Sequence, residues 1–354
     1  MKIFYLIFAT LFISLSTMGQ GINFEDITVE DAVIKAKEEN KYVFIDVYTD
    51  WCSPCKLMAQ KVFPLKELGD YFNKKFVNIK VNAQSGVAGP KFAIKYKVSA
   101  YPTFIILDNN GELVHMFAGG VLDGEKFIHK VKEAFNPSKA FGQLKKRYED
   151  GERDPKLVSG YIQALMASKS IKQNGLNDMV NEFYNSLSDK GKISSEAFFI
   201  FENYAKLGSD REKFLEENKK KFRKVVGTEK VDSVFIDKYA LYFGMIVKVN
   251  RKDVSVEDIN NTWEKVNSLG ITNLKTLPVF KSAAIIKTSK SGKEELFSEI
   301  EKTIPNLTDN EKDLMLYIVI PGLKDLLTKE EKDKLLALVS SDSVKGYIIN
   351  STYR

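Results

Sequence analysis

The sequence predicts an α/β domain, in which helices cover both faces of a mixed β-sheet, followed by an all-α domain of about ten helices. Two patterns carry this prediction. Between residues 20 and 137, apolar runs of strand length alternate with helical segments, first as strand-helix-strand units and then as a hairpin with a helix. Between residues 138 and 354, apolar residues recur at helical spacing and no strand pattern is found.

The elements of the first domain follow in order. Thr28-Val29-Glu30-Asp31 resembles a capping box, so a helix is expected from here to about residue 39. Tyr42–Tyr48 is apolar on both faces, as a doubly covered central strand should be. Pro64 interrupts the helix after that strand, and Asn136-Pro137 ends the domain. The other predicted elements are helices over residues 52–63, 66–73, 88–96 and 125–135, a strand over residues 76–82, and a hairpin of residues 104–107 and 113–117.

The helical half is predicted from groups of apolar residues three or four positions apart. Phe141, Leu144 and Tyr148 form one such group. Short paired helices fit an α-solenoid or an irregular bundle, and both stay open because no repeat period is found. Aromatic residues here, including Trp263, are expected to pack in the core. Glycines between the groups are interpreted as helix stops: Gly151, Gly191, Gly208, Gly227 and Gly270.

The first 19 residues are predicted to be a secretory signal peptide. Met1-Lys2 is followed by an apolar run over residues 3–15 and then by small residues, with cleavage expected between Gly19 and Gln20. The run is shorter than the roughly 20 residues that cross a bilayer. The mature chain is therefore expected in the periplasm or outside the cell, without a transmembrane span. An uncleaved N-terminal anchor is the alternative.

The charge of the chain does not point to nucleic acid. The formal net charge of +6 is spread over mixed lysine and glutamate surfaces. The densest basic cluster, Lys219 to Lys221 with Arg223 and Lys224, follows Glu216-Glu217 in a helical pattern and is expected to be a solvated helix face. No basic stripe with interleaved aromatic residues is found, so no nucleic-acid partner is expected.

The run Trp51-Cys52-Ser53-Pro54-Cys55-Lys56 contains the two cysteines of the chain. It closely follows the apolar run Tyr42–Tyr48, which places Cys52 where a strand leads into a helix. Free backbone N–H groups and the positive end of the helix dipole stabilise a thiolate at that point. The thiolate is the nucleophile of disulfide exchange, and Cys55, one turn later, is placed to resolve the mixed disulfide.

Three other uses of a cysteine pair fit less well. A structural zinc site needs four ligands, and the two histidines, His115 and His129, lie far along the chain and are expected at the surface. A c-type haem site would need histidine where Lys56 stands. A purely structural disulfide that closes so short a loop constrains the unfolded chain little. Redox chemistry is therefore favoured, with no metal and no cofactor other than the cysteine pair itself.

With this motif, the downstream Tyr101-Pro102-Thr103 and the order of elements, residues 24–135 resemble the thioredoxin superfamily. The run from Ile45 to Cys52 is most similar to exported bacterial members, such as the C-terminal thioredoxin-like domain of the transmembrane thiol:disulfide interchange protein. The resemblance implies a thioredoxin-like fold. It also implies that Cys52 is the attacking nucleophile and Cys55 the resolving thiol, with a redox-active disulfide between them.

The resemblance implies roles for neighbouring residues as well. Pro102 matches the family's cis-proline opposite the disulfide, and the backbone of Tyr101 is implied as a substrate contact; a trans proline that starts a strand is the alternative. Trp51 would shield the thiols and, with Pro54, offer a surface to the substrate, unless it packs in the core. Ser53 departs from the glycine that is common in thioredoxins, which leaves the direction of electron transfer open.

Asp46 lies six residues before Cys52, as the buried acid of thioredoxins does. Among apolar neighbours its carboxylate is costly to ionise, so its pKa should rise, which suits proton transfer to or from Cys55. An exposed Asp46 that caps the adjoining turn is the alternative. Lys80 stands near the position of a lysine beside that acid in the family, and this match stays open.

These observations lead to three hypotheses about function. In the first, the protein is an exported thiol:disulfide oxidoreductase that reduces disulfides of substrate proteins and exchanges electrons with a membrane-linked thiol partner. In the second, the same chemistry serves a disulfide oxidase or isomerase, which a dimer built by the helical domain would favour. In the third, the chain is a partner-binding scaffold whose thioredoxin fold is passive. The first is preferred because Trp51 and Pro54 favour a reducing member.

Overall fold

The structure is a computed structural model that describes residues 21–249, 251 and 253–352. The predicted signal peptide, residues 1–19, lies outside the described residues. Two compact units divide the chain: the first ends at Leu187 and the second begins at Ser188. The domain boundary predicted between residues 137 and 138 stays a prediction, and the three helices that follow it belong to the first compact unit.

The first unit contains a mixed five-stranded sheet with the order β1-β3-β2-β4-β5. β2 lies at its centre, parallel to β3 and antiparallel to β4, and five of its seven residues are buried. This matches the doubly covered strand that its apolar sequence predicts. The edge strand β1 was not predicted, because two residues are too short to show any alternation. The strands are β1 (Phe24–Glu25), β2 (Tyr42–Tyr48), β3 (Phe76–Asn82), β4 (Thr103–Leu107) and β5 (Leu113–Ala118).

Eight helices accompany this sheet in the described part of the first unit. The Thr28 hydroxyl accepts the Asp31 N–H at 3.0 Å and so caps the first helix, as its sequence predicts. The helix predicted over residues 125–135 ends in a 3-10 turn, Glu133–Phe135. The helices are α1 (Val29–Glu39), α2 (Ser53–Lys61), α3 (Lys66–Lys75), α4 (Ala88–Lys95), α5 (Gly124–Lys132), α6 (Phe141–Glu149), α7 (Pro155–Ser168) and α8 (Gln173–Ser186).

An aromatic core fixes one face of the sheet against α2, α3 and α5. Phe44 of β2 lies at its centre, with ring centroids of Phe72 and Phe104 at 4.8 and 5.8 Å. Met58 of α2 and Phe127 of α5 belong to the same buried cluster. Because side chains two positions apart on a strand share a face, Asp46 points to this side of the sheet, toward α2.

The histidine His115 corrects one sequence expectation. It was expected at the surface as a hairpin residue, but only 3% of it is exposed. Its Nδ1 accepts the backbone N–H of Phe141, the first residue of α6, at 3.2 Å. The covering helix comes from beyond the predicted domain boundary, so the hairpin alone gave no sign of it. His129, on α5, is exposed as expected.

The second unit is helical throughout its described residues. Its longest helix, α13, packs against α12, α15 and α17, and the choice between an α-solenoid and an irregular bundle stays a prediction. After residue 138 the described chain holds fourteen α-helices, more than about ten, because several are only one or two turns long. They are α6 to α8, then α9 (Asp189–Lys192), α10 (Phe198–Tyr204), α11 (Asp210–Glu217), α12 (Lys219–Val226), α13 (Thr228–Lys248), α14 (Val256–Ser268), α15 (Leu277–Ser289), α16 (Lys293–Thr303), α17 (Asp309–Gly322), α18 (Lys329–Ala337) and α19 (Asp342–Thr352).

Two expectations about this helical part need correction. Gly191 lies inside α9 and is not a stop, whereas Gly227 at the end of α12 has φ of 94° and is one. The basic cluster is only partly a solvated face. Arg223 bonds to Asp232 at 2.5 Å, and the Lys219 ammonium donates to the Leu269 carbonyl, because α12 packs against other helices of the unit.

Among the described residues, no helix is both long and apolar enough to cross a bilayer.

Candidate active site

The cysteine pair lies at the start of α2. Cys52 is the N-cap residue, and its Sγ accepts the backbone N–H of Cys55 at 3.1 Å. Cys52 and Cys55 form a disulfide, and 2% and 6% of the two residues is exposed. Unpaired N–H groups and the helix dipole at this end favour negative charge on the Cys52 sulfur once the bond is reduced. Pro54 stands in the first turn, where its missing N–H costs no hydrogen bond.

The start of α2, with the cysteine pair, is one wall of the site. The loop before β4 forms the second wall. The Tyr101–Pro102 peptide bond is cis, the isomer that the family resemblance implies. Pro102 is buried, and its carbonyl oxygen accepts the N–H of Gly119 at 2.8 Å. The Thr103 hydroxyl donates to the Ala100 carbonyl at 2.7 Å, which holds the turn from the other side.

Trp51 and Tyr101 join these two walls. Their rings meet edge to face, with centroids 5.8 Å apart. Trp51 is 65% exposed, so it does not pack in the core and lies instead beside the cysteines at the surface. An exposed Trp51 edge to face with a half-buried Tyr101 therefore forms an aromatic surface next to the buried disulfide.

Asp46 is buried on β2, two residues before the strand ends at Tyr48 and the chain enters the loop that leads to the cysteines. Only 3% of it is exposed, and its Oδ1 has no hydrogen-bond partner. Burial raises the pKa of this carboxyl to about 7. The positive charge of Lys80 acts in the opposite direction and lowers the pKa, but by less than burial raises it. The alternative of an exposed, turn-capping Asp46 is therefore wrong. Near neutral pH the carboxyl can both accept and donate a proton.

Lys80 lies opposite Asp46 in the register of β2 and β3. Its side chain is exposed, and its ammonium lies over the Phe24 ring, 4.5 Å from the centroid. The described side chains place no ion pair within 4.0 Å between Lys80 and Asp46, so the lysine acts on the carboxyl only through space. Lys56 is exposed on α2, as expected for a solvated helix residue.

Sequence reasoning missed a third wall, the loop after β5. The backbone N–H of Val121 donates to Met58 Sδ at 3.2 Å, which ties this loop to α2. A Cβ on Gly120 would lie 3.4 Å from the Cβ of Pro54, so a glycine here lets the loop approach the cysteine helix closely. The Gly119-Gly120 pair directly after β5 was the available signal in the sequence.

A hydrogen-bonded pair of side chains also escaped prediction. Asn82, at the end of β3, donates through Nδ2 to Asp50 Oδ1 at 3.0 Å, and its own Oδ1 accepts the Gln84 N–H at 3.0 Å. This fixes the loop that carries Trp51 to the end of the sheet. Among the described residues, no three His, Cys, Asp or Glu side chains are grouped so that they could hold a metal ion.

Comparison with known proteins places this geometry in a family. Residues 29–135 match the family model described as a thioredoxin-like domain. Thioredoxin 1 of Chlorobaculum tepidum is 34% identical over 79 residues, which are 22% of this chain and 71% of that protein. Thioredoxin-T of Drosophila melanogaster is 36% identical over 81 residues, which are 23% of this chain and 47% of that protein.

Among solved structures, a candidate disulphide-isomerase from Bacteroides thetaiotaomicron is 36% identical, with a TM-score of 0.31; the match covers 33% of this chain and 96% of that one. The chain spans about half the length of several curated relatives it matches, 47% of Thioredoxin-T and 56% of two chloroplastic thioredoxins Y. The matched segment contains both cysteines, Asp46 and Pro102. The chain therefore belongs to the thioredoxin family, with residues 29–135 as its thioredoxin-like domain.

Proposed function

We propose that this protein is an exported thiol:disulfide oxidoreductase that reduces disulfide bonds of substrate proteins. One observation carries the proposal: the Cys52–Cys55 disulfide caps α2, on the side of the sheet to which the buried Asp46 points. A nucleophile at a helix N-terminus with a proton-accepting group below it is what two-step disulfide exchange needs.

In the first step, the Cys52 thiolate attacks one sulfur of a substrate disulfide. A bond forms between Cys52 Sγ and that sulfur, the substrate disulfide breaks, and the other substrate sulfur leaves as a thiolate that takes a proton from water. Cys52 suits this role because it is the N-cap residue, where a negative sulfur is stabilised.

In the second step, Cys55 resolves the mixed disulfide. Its thiol gives a proton to the Asp46 carboxylate, and the resulting thiolate attacks Cys52 Sγ, releasing the second substrate thiolate. The substrate gains two electrons, and the Cys52–Cys55 disulfide is restored. With a pKa of about 7, Asp46 is ionised in a large fraction of molecules near neutral pH and can accept that proton.

The exposed Trp51 and the half-buried Tyr101 are the proposed substrate surface. Trp51 and Tyr101 flank the disulfide, and a substrate chain that contacts both would lie across it. Pro54, in the first turn of α2, is also exposed and completes this surface. The proposed substrates are proteins with disulfide bonds that are exposed enough to reach this apolar surface.

The direction of transfer and the location belong to the same proposal. Trp51 and Pro54 around the cysteines favour a reducing member of the family. The apolar run over residues 3–15 with Gly19-Gln20 after it supports export, with the mature chain in the periplasm or secreted. Because no cytosolic thiol pool acts there, a membrane-linked thiol donor would have to reduce the disulfide again. Sequencing the N-terminus of the cell-fractionated protein tests the location, and residue 20 is the expected first residue.

Two single variants test the chemistry. Cys52→Ser should abolish reduction of a protein disulfide such as that of insulin, because it removes the attacking sulfur. Cys55→Ser should attack but not resolve, so it should accumulate a mixed disulfide visible on non-reducing gels. A Cys52→Ser protein that still turns over substrate, or a trap that forms equally well on Cys52→Ser, would refute the proposal.

A further inference from the structure

Helix α13 of the second unit leaves one side uncovered, although it is the longest helix of that unit. Asp237, Leu241, Met245 and Lys248 are exposed, and we call these four residues the α13 stripe. They recur every three or four residues, so they form a single line along the helix. Leu241 is 67% exposed and Met245 41% exposed. Every other face of α13 contributes buried residues.

Helix α17 widens this apolar line. A Cβ on Gly244 of α13 would lie 3.8 Å from Ile318 of α17, and the Cβ position of Gly322 falls against Val247. The two helices therefore run side by side in the same direction. One turn back from Gly244 and Ile318, this alignment puts Leu314 at the level of Leu241 along the two helices, and Leu314 is 59% exposed.

The charges at the two ends of the α13 stripe are opposite and unpaired within the described chain. Neither Asp237 nor Lys248 makes an ion pair with a described residue. The ammonium of Lys248 lies 5.6 Å from the Tyr317 ring centroid, and Lys275, which attracts Asp237, bonds to Glu311 at 2.7 Å. An apolar centre with an acid at one end and a base at the other, neither of them in an ion pair among the described residues, is complementary to a partner with the reverse order.

We propose that the α13 stripe binds the same stripe of a second copy of this chain, in an antiparallel two-fold dimer. A two-fold axis near Phe243 would place Leu241 of each copy against Met245 of the other. The same axis would bring Asp237 of each copy to Lys248 of the other, which makes two ion pairs by symmetry. A parallel pairing would instead put like charges together. The order of charges along the α13 stripe is complementary to itself when two stripes lie antiparallel. For this reason the stripe favours a second copy of the chain over an unrelated partner.

Such a surface suits a weak, reversible dimer. Two stripes with Leu314 at their edge form a contact at the small end of specific interfaces. The dimer would carry two Cys52–Cys55 disulfides in one particle. All of its contacts lie in the helical unit, so its test is separate from that of the proposed reductase activity. A dimer found in that test would favour the oxidase or isomerase alternative over the reductase.

Sedimentation of the purified protein over a micromolar concentration series tests the proposal. The wild-type chain should be a concentration-dependent dimer. Asp237→Lys alone and Lys248→Asp alone should each weaken it at least about tenfold, since each creates two like-charge contacts. The double variant Asp237→Lys with Lys248→Asp should recover the dimer, because the reversed charges attract again. Leu241→Glu should leave a monomer.

Ile34→Glu is the matched control, because Ile34 is 58% exposed on α1 and lies outside the helical unit. It should dimerise as the wild type does, and all variants should keep the wild-type helical circular dichroism. A wild-type monomer at every concentration would overturn the proposal. So would a dimer that persists in Leu241→Glu, or a double variant that stays as weak as the single ones, since the stripe would then have a different occupant.

Discussion

At the scale of single residues, burial sets the acid–base chemistry of Asp46 and His115. Both side chains are almost fully enclosed, and in both the neutral form is favoured, because a charge in a poorly solvated place is costly. For Asp46 this raises the pKa to about 7, and for His115 it lowers the pKa to about 4. Asp46 therefore destabilises the folded chain as the pH rises, and His115 destabilises it as the pH falls.

Asp46→Asn should stabilise the protein in neutral solution but not in acid. The wild-type carboxyl has its pKa raised from 3.8 to about 7 on folding, so the unfolded chain loses its proton first as pH rises. The free energy of unfolding of the wild type therefore falls between about pH 4 and pH 7 and stays at the lower value above pH 7. The free energy of unfolding of Asp46→Asn should exceed that of the wild type by up to about 3–4 kcal/mol at pH 8. Urea unfolding at pH 8 and pH 4 measures this; an equal difference at both would contradict the buried carboxyl.

His115 should lower stability as the pH falls. Its pKa drops from 6.5 to about 4 on folding, so between these values only the unfolded chain takes up the proton. We expect a loss of about 2–3 kcal/mol between pH 7 and pH 4 that His115→Gln lacks. His129→Gln, on the exposed histidine of α5, is the control and should behave as the wild type. Thermal unfolding across this range checks the prediction, and parallel curves for His115→Gln and the wild type would refute it.

The sequence predicted some of these residues and not others, for a physical reason. Cys52, Cys55 and Asp46 lie within ten residues of one another, beside the apolar strand that sets their positions, whereas Pro102 was identified through the family resemblance. His115 was misjudged because its cover, the N-terminus of α6, comes from 26 residues later along the chain. Burial by a distant element leaves no trace in the local pattern of apolar residues.

At the scale of elements, helix α6 closes the edge of the sheet. Its residue Gly142 lies on the backbone of β5, where an added Cβ would come 1.8 Å from the Leu113 carbonyl oxygen. No side chain fits there, so the helix can cover the edge strand only with a glycine at this position. An edge covered in this way does not offer its hydrogen-bonding groups to other chains.

Gly142→Ala should therefore destabilise the first unit, by about 2–3 kcal/mol, because backbone must move away from backbone. Gly346→Ala is the matched control: Gly346 also lies inside a helix, but nothing is within 4 Å of its Cβ position. That change should be neutral or stabilise by up to about 1 kcal/mol. Urea unfolding followed by circular dichroism compares them, and equal effects would show that α6 does not press on β5 as described.

Among the elements, β2 and β3 were predicted to the residue, the bounds of the first unit's predicted helices to within about three residues, and the shortest elements were missed. β1, with two residues, and α9, with four, are too short to show a pattern of their own. The interpretation of Gly191 as a helix stop is wrong, because a one-turn helix around it cannot be recognised from the sequence.

At the scale of the whole molecule, the chain forms two compact units whose boundary follows α8. The thioredoxin-like match ends at residue 135, but α6 and α7 pack on β5, and the Ser99 hydroxyl donates to the Lys169 carbonyl at 2.5 Å. The first compact unit therefore extends about fifty residues beyond the matched domain.

Truncation tests this extension. A fragment of residues 20–187 should unfold in a single cooperative transition, whereas a fragment of residues 20–137 should be less stable by several kcal/mol, because it leaves Met116 and the edge of β5 uncovered. Differential scanning calorimetry of the two fragments measures this. Equal stability would favour the boundary predicted at residues 137 and 138.

The central claim is that Cys52 and Cys55 form a reducing dithiol pair, and the reduction potential of that pair tests it most directly. The purified protein is equilibrated in thiol/disulfide buffers of known potential, and the fraction of the reduced pair is followed by alkylation. A value near the roughly −270 mV of thioredoxin is the predicted result. A value near roughly −120 mV would mean that the protein donates its disulfide as an oxidant, which would contradict the proposed reductase.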